Sequence, residues 1–164
     1  MSQATETALP SRSVEARIDE LESRAAIQRL LAEYCHGVDK HELDRFAAVW
    51  HPDASLMMGE PIGDYHGIDE ILYFIREIIW ETQLPESHHW TTNTSLTFSD
   101  TDHADGVSDV LAAGTGPDGR RVSIAATYRD IFERRAGQWR ILRRAAEIHY
   151  ELPVAVPGET EDVS

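Results

Sequence analysis

The sequence predicts a single α+β domain in which helices come first and lie on one face of a curved antiparallel sheet that follows. Three observations lead there. Apolar residues recur at helical spacing through the first half of the chain, and from His88 the chain turns to β-branched and aromatic stretches separated by Gly- and Asp-rich turns. The third is length, since 164 residues can bury one core but leave little for a second. Helices then strands, rather than the two alternating, is an α+β order.

The elements follow in turn. Val14, Ile18, Leu21 and Ala25, then Ile27, Leu30, Leu31, Tyr34 and Val38, mark one long amphipathic helix or a helix pair, with Gly37 as a stop signal near its end. Leu43, Phe46, Val49 and Trp50 predict a second, short helix that stops before Pro52. Ala54 to Met58 can form a short strand, and GEPIGDYHG reads as turns. Ile71, Leu72, Ile75, Ile78 and Ile79 then supply the buried side of a third helix over 68–80. Strands are predicted at roughly 88–99, 104–114, 120–134 and 138–152, joined as hairpins through SDTDHADG, GTGPDGR and RAG. The polar segment 1–12 and the acidic segment 156–164 read as tails flanking a domain over 13–155.

Composition narrows the function. A formal charge of −14 argues against a nucleic-acid partner, which needs a basic face to displace counterions. The cluster Arg134, Arg135, Arg140, Arg143 and Arg144 alternates along a hairpin, so its members point to different faces. No apolar run approaches the roughly 20 residues that cross a bilayer, so no membrane partner is expected. MSQATETALPSRS lacks the basic and apolar regions of a secretory signal, which predicts a cytoplasmic protein. The single cysteine, Cys35, has no partner for an internal disulfide. Eight histidines invite a metal, yet none shows HExxH or Cys-His spacing, and no metal is expected. A GxSxG elbow, a Walker loop and a strand–GxGxxG–helix element are all absent.

Two places could carry acid–base chemistry. Asp39, in YCHGVDK, ends an apolar helical stripe, where it is either a surface carboxylate or one drawn inward by a partner. His88 and His89 open the first long strand, on opposite faces. The His89 face continues through Thr91, Asn93 and Ser95, the His88 face through Trp90, Thr92 and Thr94. Neither is clearly apolar, so alternation does not choose between them. By spacing alone Tyr34 is a core residue, and Arg143 or Arg144 is a strand-surface cation.

The segments ESRAAIQRLLAEYCHGVDK, HHWTTN and IAATYRDIFERRAGQWRILRR together resemble the SnoaL-like branch of the nuclear-transport-factor-two-like superfamily over about residues 20–150. Within it the chain particularly resembles the hexachlorocyclohexane dehydrochlorinases and the bile-acid 7α-dehydratases, and more distantly the scytalone dehydratases. The resemblance implies a cone-shaped α+β barrel with three to four N-terminal helices covering the concave face of a strongly curved, mostly antiparallel sheet. It implies a cofactor-independent lyase acting on a small hydrophobic cyclic or polycyclic substrate, and self-association into a dimer or trimer. Matched to the family's motif positions, Asp39 and His89 form the acid–base dyad, His89 rather than His88 takes the base position, and Tyr34 and Arg144 complete the catalytic set. Leu56, Met58, Trp90 and Tyr128 are expected to line the pocket. Tyr34 matches the dehydratases, and Leu56 stands where the dehydrochlorinases carry an aromatic residue, so the expectation leans toward loss of water over loss of halide. Two alternatives stand beside it, a ketosteroid-isomerase-like or polyketide-cyclase-like reaction and a non-catalytic ligand-binding module.

Overall fold

The computed structural model describes residues 12–153. Helix α1 (Val14–Asp39) is one continuous helix of 26 residues, started by Ser13, whose Oγ accepts the Ala16 amide at 3.2 Å. Gly37 lies inside it and does not stop it. A Cβ there would stand 2.7–2.8 Å from the backbone and Cβ of Phe46, so the glycine lets α2 (Leu43–Ala48) pack directly against the end of α1. The chain leaves α1 through Lys40 and through His41, which adopts φ 55°. Strand β1 (Trp50–Met57) follows, then a short β2 (Asp64–His66) within the stretch expected to be turns.

The third helix is in two windings. α3 (Ile68–Tyr73) is α-helical, and it runs on as α4 (Phe74–Gln83), which is π-helical. Four long strands complete the chain: β3 (Glu86–Phe98), β4 (His103–Thr115), β5 (Arg121–Arg135) and β6 (Gln138–Pro153). They form one six-stranded sheet in the order β2-β1-β6-β5-β4-β3, antiparallel throughout except where β1 runs parallel to β6. The sheet is mostly antiparallel as expected, but β2 and β3 are its two free edges, so the cone does not close into a barrel.

The core lies between α1 and the sheet. α1 contributes Ile27, Leu31, Tyr34, Cys35 and Val38 from one face, and the sheet contributes Leu56, Val110, Tyr128, Phe132, Trp139 and Ile141. Each such side chain gives roughly 1.5–3 kcal/mol through removal from water. Tyr34 is the hub of an aromatic group, with ring centroids 5.2 Å from Phe46, 5.9 Å from Trp50 and 6.0 Å from Tyr128.

Two bulges decide which residues face this core. In β3 the pairing with β4 slips between Thr92 and Ser95, and Asn93 sits at φ 52°. Ser87, His89 and Thr91 face inward before the bulge, and Thr94, Leu96 and Phe98 after it. In β6 the pairing with β5 slips at Leu142, so that Trp139, Ile141 and then Arg144 are buried.

Candidate active site

The pairing of Asp39 with His89 comes from two matched spacings. On α1, Cys35 and Asp39 are four residues apart and lie on one face, about 6 Å along the axis. On β3, Thr91 and His89 are two residues apart on one face, about 6.6 Å along the strand. Helix and strand therefore meet in register: Cys35 Sγ lies 3.4 Å from Thr91 Oγ1, and Asp39 Oδ1 lies 2.6 Å from His89 Nδ1. Asp39 also accepts the His89 amide on Oδ2 at 2.8 Å and the Ser87 hydroxyl on Oδ1 at 3.3 Å.

Both side chains are largely removed from solvent, Asp39 7% and His89 12% exposed. Burial, the largest influence on Asp39, opposes its ionisation. The hydrogen bonds from the His89 ring and amide outweigh it and, with Ser87, hold the carboxyl below its usual range. Asp39 is also the last residue of α1, where the partial negative charge of the helix end increases its attraction for an imidazolium. An ionised Asp39 fixes the proton of neutral His89 on Nδ1 and leaves the lone pair of Nε2 free.

His89 lines a cavity of about 130 Å³ under α4. Its walls are Val38, Phe74, Ile75, Ile79, Val110, Ala112, Ile124 and Ala126, with Tyr34, Tyr128 and His89 as the polar groups at the inner end. Tyr34 and Asp39, five residues apart, diverge by about 140° around α1. Tyr34 thus enters from the α1–β5 side while Asp39 turns to β3, and the two do not touch. Burial holds the Tyr34 phenol above its usual range, against the nearby Arg144 charge, and raises Tyr128 well above. Both are O–H donors at neutral pH.

Arg144 pairs with Asp130 and not with Asp39. Its guanidinium is fully buried, donates from Nε and Nη2 to Asp130 at 2.8 Å each, and lies between the Tyr34 and Tyr128 rings, 4.2 and 4.1 Å from their centroids. Burial works against its charge, but Asp130 outweighs that and Arg144 stays cationic. Nη1 is buried with no hydrogen-bond partner among the described residues. Asp130 pairs directly across the β5–β6 ladder with Arg144 and was not singled out from the sequence. An acid sharing a strand face with Tyr128 and Phe132 is the signal that could have found it, because a carboxylate on an apolar face needs a buried cation.

The expected lining is corrected at two positions. Met58 and Tyr128 border the cavity. Leu56 is 2% exposed in the core beside Arg144's strand and does not reach it. Trp90 sits on the opposite face of β3 from His89, half exposed beside His88. Among the described residues no three His, Cys, Asp or Glu side chains converge as a metal site would require, and no helix is long and apolar enough to cross a membrane.

Residues 19–145 match the family described as the SnoaL-like domain. The chain belongs to this SnoaL-like family. Among SnoaL-like relatives, hexachlorocyclohexane dehydrochlorinase 1 of Sphingobium indicum is 36% identical over 139 residues, spanning 84% of this chain and 89% of the relative. Gamma-hexachlorocyclohexane dehydrochlorinase of Sphingobium indicum is 37% identical over 139 residues, 84% of this chain and 88% of its own. The crystal structure of a type 2 hexachlorocyclohexane dehydrochlorinase superposes with a TM-score of 0.80 at 34% identity, over 87% of this chain and 99% of that one. A structure described as a putative scytalone dehydratase from Novosphingobium aromaticivorans shares the SnoaL-like fold, with a TM-score of 0.76 at 20% identity over 88% and 99% of the two chains.

Proposed function

We propose that this SnoaL-like protein is a cofactor-independent lyase that eliminates H–X from adjacent carbons of a small hydrophobic ring compound. The observation that carries the reading is the Asp39–His89 contact of 2.6 Å opening into an apolar cavity. His89 Nε2 removes a proton from carbon, the C–H electron pair becomes the new C=C bond, and X departs with the electrons of the C–X bond. Asp39 stabilises the resulting imidazolium, and apolar walls keep water from competing. The cavity volume favours one ring over a fused system, since an apolar cavity of about 150 Å³ takes up benzene.

Two leaving groups divide the reading. The dehydrochlorinase relatives favour a halide, which leaves as an anion and needs no acid. Tyr34 favours a hydroxyl, because its phenol lines the cavity with His89 and is an O–H donor that can give its proton to the departing oxygen. Arg144 stands behind Tyr34 as a buried cation that would stabilise negative charge on either. Turnover of chlorocyclohexane-type and cyclohexanol-type ring compounds, followed by chloride release and by alkene formation, tests both. His89→Ala should lower turnover by about 10²–10⁴-fold. Tyr34→Phe should spare halide loss and suppress water loss. Full activity of His89→Ala would remove the dyad from the chemistry, and a product of unchanged mass would point to isomerisation.

Self-association is part of the proposal. Trp90, Leu111, Ala125 and Tyr150 are neighbours across β3, β4, β5 and β6 on the outer face, and Trp90, Leu111 and Tyr150 are 45–54% exposed. A continuous apolar row of this kind supports contact with further copies of the chain.

A further inference from the structure

The cavity wall formed by α4 depends on its winding. Phe74, Ile75, Ile79 and Gln83 all line the cavity. At about 4.4 residues per turn, the i→i+5 winding brings these four within an arc of roughly 80°. At the α-helical 3.6 residues per turn the same four would spread over about 180°, with Gln83 opposite Phe74. The π winding is held where α4 meets α1: Trp80 Nε1 donates to the Val38 carbonyl at 3.0 Å, and its ring stacks on His41 at 4.5 Å. That carbonyl, in the last turn of α1, also accepts the His41 amide at 3.3 Å, so the chain leaving α1 and the Trp80 indole meet at one acceptor.

The effect is to set a primary amide into a wall that is otherwise apolar. Gln83 is exposed and lies at the outer end, because it also lines a larger neighbouring pocket, whose lining does not include Tyr34, His89 or Tyr128. Glu151 of β6, also exposed, is the other polar residue common to the two pockets. An amide donor and a carboxylate acceptor at the end remote from the dyad match one group well: a hydroxyl, which accepts from Gln83 and donates to Glu151.

We propose that Gln83, brought to the cavity by the π winding of α4, is a specificity-determining residue that with Glu151 binds a ring hydroxyl on the side of the substrate facing away from His89. The inference rests on the reading of the cavity as the substrate site and adds the substrate class, a ring compound hydroxylated opposite the reacting carbon. Calorimetric titration of the full chain with 4-chlorocyclohexanol and with chlorocyclohexane tests it without requiring turnover. The alcohol should bind about tenfold more tightly to the wild type. Gln83→Leu and Glu151→Gln should each reduce that preference severalfold with little effect on chlorocyclohexane. Deleting Glu81, which rotates Gln83 back by about 80°, should abolish the preference while leaving Gln83 in the chain. Equal binding of the two compounds by the wild type, or an unchanged preference in Gln83→Leu, would overturn it. If the preference holds but no elimination occurs, the proposed reaction fails and this assignment stands. If elimination proceeds with no preference, the reverse is true.

Discussion

Replacing Asp130 with Asn removes the one counterion among the described residues bonded to a guanidinium that is itself 0% exposed. Both bidentate bonds, at 2.8 Å, lose their charge assistance, and Arg144 is left cationic in the core. Breaking one side of a buried pair costs about 3–5 kcal/mol. The Tyr34 and Tyr128 faces at 4.2 and 4.1 Å retain part of the stabilisation, since a desolvated cation–π contact gives about 2 kcal/mol. The loss should therefore fall near the lower end, about 3 kcal/mol, or roughly 6–12 °C in Tm for a domain of this size. Urea unfolding followed by the fluorescence of buried Trp50 and Trp139 measures it. The double variant Asp130→Leu/Arg144→Met should recover to within about 1–2 kcal/mol of the wild type, because replacing a whole buried pair with apolar groups is close to neutral. A loss under about 1 kcal/mol in Asp130→Asn would refute the argument. So would a double variant that is worse than the single one.

Two further predictions concern the dyad and the outer sheet. The Asp39 carboxyl is depressed in the folded state, so its ionisation contributes stability above the ordinary carboxyl range, and that contribution is lost as pH falls through the lowered folded value. The stability difference between wild type and Asp39→Asn should shrink steadily as the solution is acidified below the ordinary carboxyl range. A difference independent of pH in urea titrations would contradict the assigned charge state. Trp90→Asp should lower the assembly state measured by light scattering and leave the fold intact by circular dichroism, because Trp90 is half exposed. An unchanged mass would remove the outer face from self-association.

The order of helices and strands was legible because both periodicities are strong, and strand limits fell within a few residues of those expected. What alternation could not decide was the inward face at His88/His89 and at Arg143/Arg144, and both failures have one cause. Each strand carries a bulge beside the candidate site, so its apolar residues Leu96 and Phe98, or Trp139 and Ile141, have the opposite parity to the inward-facing His89 or Arg144. The third helix misled in another way. Ile71, Leu72, Ile75, Ile78 and Ile79 make a good α-helical stripe, and the contact of Trp80 with Val38 holds a different winding that no local pattern encodes. Asp130 was legible only as a pair, since neither it nor Arg144 is a sensible core residue alone. Leu56 and Trp90 show that being adjacent to a site in sequence does not imply facing it.

Asp39 grips residue 89 by its main-chain amide as well as by its ring. The first of these bonds is indifferent to the side chain, so the carboxylate is a fixture of the helix–strand joint and the imidazole is the interchangeable part. The side chain at position 89 can therefore be exchanged while the main-chain amide keeps the Asp39 carboxylate aimed at the same point.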